Sequence, residues 1–289
     1  MTTDAPLIAL TGGSGFVGRR VGEALRGRGY RIRHLARRAP AGADEWQSFD
    51  LGAPDGVSLA GCSALIHLAA HIPTDHGALW EAERCVRLNA LGTLHLVDAA
   101  VRAGVGHILQ TGSANAYAPC SDPPREDAPL FPASRGYYLG SKILQEIHAT
   151  QRCRDGDARL QTLRLASVYG PGQAIGAPAA MVRAALAGGP IKARGSFGAD
   201  FVHVDDVVQA LLILLEGDAP SGAFNVGSGV RTTIAQLART LSALTGAPVE
   251  DEAGATDDQG FSALNIDRML ALGYRPTPLK DGLPSLLRP

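Results

Sequence analysis

The chain has 289 residues, 45% of them hydrophobic, which is enough for one large α/β domain with a smaller lobe. Its 27 lysines and arginines nearly balance 28 aspartates and glutamates, and no basic block suggests a nucleic-acid or anionic-membrane surface. The four cysteines lie far apart with no CxxC pair, which fits neither a zinc site nor a disulfide framework. The N-terminus lacks a signal-peptide pattern, and no run of about 18 apolar residues occurs. We therefore expect a soluble cytoplasmic protein that contacts no membrane, nucleic acid or metal.

Short apolar runs alternate with stretches of helical period through the first two thirds of the chain. This alternation is typical of a doubly wound, parallel sheet of Rossmann type, because each strand returns through a right-handed helical crossover. The predicted strands are Leu7–Leu10, Ile32–Leu35, Ala64–Ala69, His107–Thr111 and Leu160–Leu165, and the helices between them are Val17–Arg28, Glu81–Ala103 and Tyr137–Arg152.

Glycine and proline crowd residues 170–198, and this change of composition indicates a smaller lobe. The pattern then resumes with a strand at Phe201–Val204 and helices at Val207–Leu215, Ile234–Thr245 and Asp267–Leu272. The predicted domains are a Rossmann-type domain over 1–169, to which 201–228 returns, and a smaller lobe over 170–200 and 229–289.

The segment TGGSGFVG at 11–18 follows the first strand and opens the first helix, with the spacing Gly12-x-x-Gly15-x-x-Gly18. Glycines allow a tight turn and a close backbone approach, while amide groups and the positive end of the helix dipole face a pyrophosphate. The alternative is an ordinary tight turn. Strand, loop and helix agree here, so the segment predicts dinucleotide binding, with Phe16 and Val17 included among the contacts.

The second strand ends in HLARR, whereas an NAD enzyme usually has an acid there for the ribose 2′-hydroxyl. Arg37 and Arg38 can pair with a 2′-phosphate, which favours NADP slightly over NAD; a solvated basic loop is the alternative. Asp50 and Leu51 follow a short strand and are predicted to contact the adenine, unless Asp50 is an ordinary turn residue. Asn89 is a polar group in an apolar helix, so we expect it to have a buried partner beneath the cofactor.

The catalytic candidates are Ser113, Tyr138 and Lys142. In YLGSK, Tyr138 and Lys142 are four residues apart and share one helix face. A phenol is a poor base near neutrality, but a neighbouring ammonium and the positive nicotinamide stabilise its anion. The strand ending at Thr111 delivers Ser113 toward the carboxyl edge of the sheet, where it would donate to the reacting oxygen.

Together these residues resemble the extended short-chain dehydrogenase/reductase superfamily, of the NAD-dependent epimerase/dehydratase type that acts on nucleotide sugars. The similarity runs nearly end to end, and its motifs occur in family order. They are TGGSGFVG, HLAA at 67–70, Asn89-x-x-Gly92-Thr93, Ser113 at 25 residues before Tyr138, YLGSK, VYGPGQ at 168–173, DFVHVDD at 200–206 and FNVGSG at 224–229.

The resemblance implies that Tyr138 is the general acid/base, that Ser113 assists it, and that Lys142 also holds the nicotinamide ribose. It implies a lobe that closes over a small-molecule substrate, and a homodimer formed through the helices at 81–103 and 137–152. The remaining predicted cofactor contacts are Leu68, Ala69, Ala70, Thr111, Ala166 and Val168, and the predicted substrate contacts beside Ser113 are Asn115, Ser167, Arg194 and Ala199.

Three departures from the family pattern narrow the substrate and the reaction. Ala199 stands where family members commonly have an arginine for the diphosphate of a nucleotide sugar, and Ser167 stands where an asparagine is usual. Arg194 is a candidate substitute for that arginine, but an ordinary charge on a surface loop is the favoured interpretation of this residue. Ala114 and Asn115 occupy the places of the Asp-Glu pair of sugar 4,6-dehydratases, so dehydration is not expected.

Three hypotheses follow. The first is an epimerase or ketoreductase acting on a sugar or nucleotide sugar, and Arg37-Arg38 favours reduction with NADPH. The second is an NADPH-dependent reductase of a smaller carbonyl compound. The third is a non-catalytic dinucleotide-sensing protein, against which the intact Ser113, Tyr138 and Lys142 argue.

Overall fold

The structure is a computed structural model that describes residues 5–194, 198–252 and 263–287. The chain divides into two compact units. Unit 1 comprises Met1–Ala116, Leu130–Arg164 and Leu211–Phe224, and unit 2 comprises Tyr117–Pro129, Leu165–Ala210 and Asn225–Pro289. The predicted division into a cofactor domain and a substrate lobe concerns roles rather than compactness, and it stays a prediction.

The described residues contain twelve strands and nine α-helices. The strands are β1 (Leu7–Thr11), β2 (Arg31–Ala36), β3 (Glu45–Ser48), β4 (Cys62–His67), β5 (His107–Ser113), β6 (Arg159–Leu165), β7 (Ser167–Tyr169), β8 (Ile191–Arg194), β9 (Gly198–His203), β10 (Gly222–Val226), β11 (Arg231–Thr233) and β12 (Val249–Glu252). The α-helices are α1 (Phe16–Gly27), α2 (Leu79–Cys85), α3 (Gly92–Arg102), α4 (Gly136–Asp155), α5 (Ala177–Leu186), α6 (Val204–Glu216), α7 (Ile234–Thr245), α8 (Asp267–Ala271) and α9 (Leu279–Gly282).

A seven-stranded sheet has the order β10-β6-β5-β4-β1-β2-β3. The pairs β1–β2, β1–β4, β2–β3 and β4–β5 are parallel. After β3 the chain crosses to the other side of β1, so the strand order reverses between β1 and β4. Open α/β sheets bind ligands at the carboxyl ends of strands at such a reversal. The predicted Rossmann-type fold class is confirmed.

Burial explains the central elements of unit 1. All five residues of β1, LIALT, are buried, as expected for a central parallel strand covered on both faces. Helix α1 buries Val21 and Leu25, four residues apart, together with Gly18 and Gly22. Side chains from α3, β4 and β5, among them Leu96, Leu65 and Ile108, complete this core.

Unit 2 has its own core and two small sheets. Strand β9 is antiparallel to β11 and parallel to β7, and β8 pairs in parallel with β12. Tyr169, Phe201 and Leu241 are buried in its hydrophobic cluster. Among the described helices of the whole chain, none combines the length and apolarity that a membrane-spanning segment needs.

Several predicted elements differ from the structure in their bounds or in the type of helix; the strand predicted over Ala64–Ala69, for example, ends at His67. The predicted helix over Glu81–Ala103 contains a π-helical segment, Val86–Leu91, between α2 and α3. Gly92 follows this segment and packs so tightly that a Cβ there would lie 2.4 Å from the Leu51 carbonyl oxygen. Strand β9 ends at His203 and Val204 already begins α6, because Asp205 and Asp206 in the first turn favour a helix N-terminus.

Candidate active site

The glycine-rich loop folds tightly against its neighbours. Gly12 has φ +71°, and a Cβ there would lie 2.7 Å from the Ala69 nitrogen. A Cβ at Gly18 would lie 2.0 Å from the Gly12 carbonyl oxygen. Positions 12 and 18 therefore accept only glycine without a backbone shift.

The N-terminus of α1 is open toward an anion. Gly15 is its N-cap residue, no side chain caps the helix, and the first turn contains no acid. Phe16 and Val17 are partly buried in that turn. Unpaired amide groups and the positive end of the dipole suit a pyrophosphate, so this loop fits the predicted dinucleotide.

Thr11, the last residue of β1 before the glycine-rich loop, connects that strand to the loop after β4. Its Oγ1 accepts hydrogen bonds from the Leu68 nitrogen at 3.1 Å and the Ala69 nitrogen at 3.2 Å, and it lies 2.7 Å from Nδ1 of His67. Leu68, Ala69 and the next residue, Ala70, are partly buried beside Gly12. The two loops that are predicted to contact the cofactor thus share one hydrogen-bonded edge.

Asn89 has the buried partners expected of it. It is fully buried in the π-helical segment, where its Oδ1 accepts from the His71 nitrogen at 2.7 Å. Its Nδ2 donates to the His71 carbonyl at 2.9 Å and to Oγ of Ser141 at 3.0 Å, and Ser141 in turn donates to the Tyr138 carbonyl. Asn89 therefore links the loop after β4 to the helix that bears Tyr138.

Tyr138 and Lys142 both lie on α4 in unit 1. Burial raises the pKa of Tyr138 to about 12; the neighbouring Cys85 adds to the rise, and the guanidinium of Arg135 opposes it. Lys142 is 4% exposed, and burial lowers its pKa to about 7 against the opposing effect of Glu146. Near neutrality the phenol is therefore protonated, while the ammonium is close to its titration point.

Ser113 is the last residue of β5, so the strand is two residues longer than predicted. It is partly buried, and within the described part of the chain its hydroxyl has no hydrogen-bond partner. The hydroxyl is therefore available to a bound molecule at the carboxyl edge of the sheet. Thr111 lies in the same strand, and Asn115 is exposed in the following 3₁₀ turn.

The second strand ends with two exposed arginines. Neither Arg37 nor Arg38 forms an ion pair or a side-chain hydrogen bond within the described ranges. Oδ1 of the exposed Asp50 accepts from the Gly52 nitrogen at 2.7 Å, which is the turn interaction considered as its alternative role. Leu51 packs on Gly92 through its carbonyl.

The comparisons with known proteins agree with this site. Residues 8–227 match the model of the NAD dependent epimerase/dehydratase family. The chain belongs to this family. The predicted resemblance is confirmed, and the protein is an enzyme of an NAD-dependent family rather than a non-catalytic binding protein.

Two relatives and one solved structure show the breadth of the family. The dTDP-L-rhamnose 4-epimerase of Burkholderia thailandensis is 29% identical over 94% of this chain and 91% of its own length. The dTDP-6-deoxy-L-talose 4-dehydrogenase (NAD(P)(+)) of Kitasatospora kifunensis is 28% identical over 88% and 84%. MoeE5 in complex with UDP-glucuronic acid and NAD is 26% identical, covers 97% of each chain and superposes with a TM-score of 0.85.

The remaining predicted contacts of this family member lie in unit 2. Ser167 and Val168 are partly buried in β7, and Ala166 donates its backbone amide to the Val226 carbonyl at 2.9 Å. Ala199 is buried in β9, opposite Thr232 of β11. The side chain of Arg194 lies outside the described residues.

Several polar residues near Tyr138 were not predicted from the sequence. His71 Nε2 lies 2.5 Å from Oε2 of Glu81, which is 1% exposed, and the ring of His76 meets that of Tyr138 edge-on at 6.3 Å. Gln145 accepts a hydrogen bond from Lys142. Its position three residues after Lys142 is the one signal that the sequence offered, because residues i and i+3 share a helix face.

Proposed function

We propose that this enzyme transfers a hydride at a carbinol or ketone carbon of a nucleotide sugar, as an epimerase or a ketoreductase. The observation that carries the proposal is that, within unit 1, Tyr138 and Lys142 lie on α4, and α4 packs against β5, the strand that ends at Ser113. The Ser113 hydroxyl has no hydrogen-bond partner among the described residues. The activities of two relatives, a dTDP-sugar 4-epimerase and a dTDP-sugar 4-dehydrogenase, support the substrate class.

The proposed chemistry divides the work among three side chains. Bound NAD(P) supplies the hydride acceptor or donor. In the oxidation direction Ser113 donates a hydrogen bond to the substrate oxygen, and the Tyr138 phenolate takes the hydroxyl proton as the C–H hydride leaves the carbon. In the reduction direction Tyr138 returns that proton. The Lys142 ammonium stabilises the phenolate and so opposes burial, the main cause that raises the pKa of Tyr138 to about 12.

The proposed holder of the cofactor is the loop at Gly12, Gly15 and Gly18, with Leu68–Ala70 beside it. Residues 170–200 and 229–289 are proposed as the substrate lobe, with Ser167 and Ala199 as contacts. A panel of dTDP- and UDP-sugars, followed by NMR with a C4-deuterated nicotinamide, tests the activity. Epimerisation or reduction of any nucleotide sugar supports the proposal, and inactivity on the whole panel together with turnover of a simple ketone would refute it.

The proposed cofactor preference is NADP, because Arg37 and Arg38 are exposed at the end of β2 without acidic partners in the described ranges. A charge-assisted contact to a 2′-phosphate is worth about 1.5–3 kcal/mol, or roughly 10- to 150-fold in affinity. Acid release identifies any bound nucleotide, and reduced-nicotinamide fluorescence then compares NADH with NADPH. Arg37→Ala should weaken NADPH alone, whereas Arg102→Ala, an exposed arginine of α3, should weaken neither. Tightly bound NAD would refute the preference and favour the epimerase.

A second candidate is reduction of a smaller carbonyl compound without a nucleotide. It is favoured by Ala199, a buried alanine where relatives of this type commonly have a diphosphate-binding arginine. Micromolar binding of a nucleotide sugar with measurable turnover would exclude this candidate.

We also propose that the enzyme is a homodimer. Apolar side chains are exposed on two packed segments of unit 1: Trp80 is 58% exposed on α2 and Ile147 is 55% exposed on α4. Leu91 and Leu144 are also exposed apolar residues of these segments. Exposed apolar surface of this kind is typical of a symmetric interface. Ile147→Glu should produce monomers in sedimentation velocity. Ile175→Glu, at an 85% exposed residue of unit 2, is the control that should leave the dimer intact.

A further inference from the structure

Gln145 lies at the centre of a buried chain of side-chain amides next to Lys142. It is 1% exposed, and its Oε1 accepts a hydrogen bond from Nζ of Lys142 at 2.6 Å. Its Nε2 donates to Oε1 of Gln110 at 3.0 Å and to the Thr111 carbonyl at 3.3 Å. Nε2 of Gln110 then donates to Oγ1 of Thr162 at 3.0 Å. This series of hydrogen bonds leads from Thr162 on β6 through Gln110 on β5 to Gln145 and Lys142 on α4.

These contacts fix the orientation of the Gln145 amide. Its two N–H groups are used by acceptors on β5, so its carbonyl oxygen must face the other way, toward Lys142. An ammonium can only donate, and a buried ammonium without an acceptor is strongly disfavoured. The Gln145 amide therefore presents a hydrogen-bond acceptor, its Oε1, to the Lys142 ammonium.

We propose that Gln145 is a positioning residue that holds the Lys142 ammonium in its buried site and keeps it charged. The inference rests on the proposed function, in which that ammonium stabilises the Tyr138 phenolate. Gln145 itself touches neither the phenol nor any reacting atom, so its effect on catalysis passes through Lys142.

The other charged or titratable groups around Lys142 do not by themselves keep its ammonium charged at neutral pH. On its own helix are Tyr138 and Glu146, and Glu146 is paired with Arg164 of β6. On β4 is His67, whose pKa is lowered to about 3 by burial and by Lys142, so it is neutral. Because the pKa of Lys142 is already lowered to about 7, the loss of one acceptor should remove most of its charge at neutral pH.

The composition of the chain allows a direct test. Lys142, Lys192 and Lys280 are its three lysines, and the latter two are exposed, so a protein labelled with ¹³Cε-lysine gives three NMR signals. The Lys142→Arg variant assigns the buried signal by its loss. Titration of the wild type and of Gln145→Leu should show the Lys142 pKa lower in the variant by about one unit. Gln145→Glu, which keeps an acceptor and adds a negative charge, should shift that pKa upward.

Gln151→Leu is the matched control, because Gln151 is an exposed glutamine of the same helix that bonds Asp155. It should leave the Lys142 titration unchanged. If Gln145→Leu fails to fold by circular dichroism, the upward shift in Gln145→Glu still decides the matter. An unchanged Lys142 pKa in every folded variant would overturn the proposal and leave Gln145 a packing residue.

Kinetics separate this inference from the proposed function. Once a substrate is found, Gln145→Leu should lower kcat by up to about tenfold at pH 8 with little change in KM, and the loss should shrink at lower pH as Lys142 regains its proton. A folded Gln145→Leu variant with wild-type kcat across that range would refute the catalytic part. If Tyr138→Phe keeps full turnover, the proposed function fails, while the lysine titration still reports on Gln145.

Discussion

Nδ1 of His67 lies 2.7 Å from Oγ1 of Thr11, so the last residue of β4 is joined to the last residue of β1 where the strand order reverses. Oγ1 of Thr11 already accepts two backbone hydrogen bonds, from Leu68 and Ala69, so its own proton must be donated to Nδ1. Nε2 of the neutral imidazole then carries the ring proton and donates to Oγ1 of Thr93 at 2.8 Å. One threonine hydroxyl thus fixes both a histidine tautomer and a loop that is predicted to line the cofactor.

The first prediction follows from this hydroxyl. Thr11→Val keeps the side-chain shape but leaves two backbone amides and Nδ1 of His67 without their partner. Buried unsatisfied groups cost about 1–3 kcal/mol each, so the free energy of unfolding should fall by at least about 2 kcal/mol in urea denaturation. Thr240→Val removes a hydroxyl that bonds only its own helix carbonyl and should cost far less. Equal effects of the two substitutions would contradict the proposed network.

The second prediction concerns the glycine-rich loop. Gly18→Ala puts a methyl group 2.0 Å from the Gly12 carbonyl oxygen, so the loop must shift. The variant should bind NADH and NADPH at least tenfold more weakly in fluorescence titration, and its melting temperature should fall. Gly27 lies at the other end of the same helix with no atom near its would-be Cβ. Gly27→Ala should therefore keep cofactor affinity and melting temperature; a Gly18→Ala protein that matches it would contradict the close approach.

Local sequence patterns were sufficient for the elements that position the site. Strand β1 is a run of five buried residues, and the glycine spacing after it reflects steric limits that act within seven residues. The π-helical segment was not predictable from a helical period, and the contacts made there, of Gly92 with Leu51 and of Asn89 with His71, join residues that are distant in the sequence. The contact of Gln145 with Gln110 was equally unpredictable from local sequence patterns, since it joins residues 35 positions apart.

The third prediction concerns pH and uses Lys142. Its pKa is lowered from 10.5 to about 7 by burial, so above pH 7 the unfolded chain binds a proton that the folded chain lacks. The free energy of unfolding should therefore rise with pH from 7 toward 8.5, with a slope that approaches about 1.4 kcal/mol per pH unit. Lys142→Met should flatten this rise, as measured by urea denaturation at pH 7.0, 7.75 and 8.5.

The pH window matters because other buried groups act in the opposite sense at higher pH. Burial raises the pKa of the Cys85 and Cys153 thiols, so above their ordinary range the folded chain keeps protons that the unfolded chain loses. That contribution lowers stability as pH rises, and it is common to wild type and Lys142→Met. Parallel pH curves for the two proteins would show that Lys142 does not titrate in this range.

The fourth prediction separates chemistry from binding at Tyr138. Tyr138→Phe removes the proposed proton donor and acceptor but keeps the ring that meets His76 edge-on. Loss of a general acid/base costs about 10²- to 10⁴-fold, so kcat should fall by that factor while the affinity for reduced nicotinamide changes less than threefold. Tyr137→Phe alters the neighbouring, exposed phenol of the same helix and should keep wild-type turnover. Each substitution removes one phenol hydroxyl, and the two hydroxyls belong to adjacent residues. Equal activities of the two variants would therefore show that the proton comes from another group. Ser113 would then be the next hydroxyl to replace.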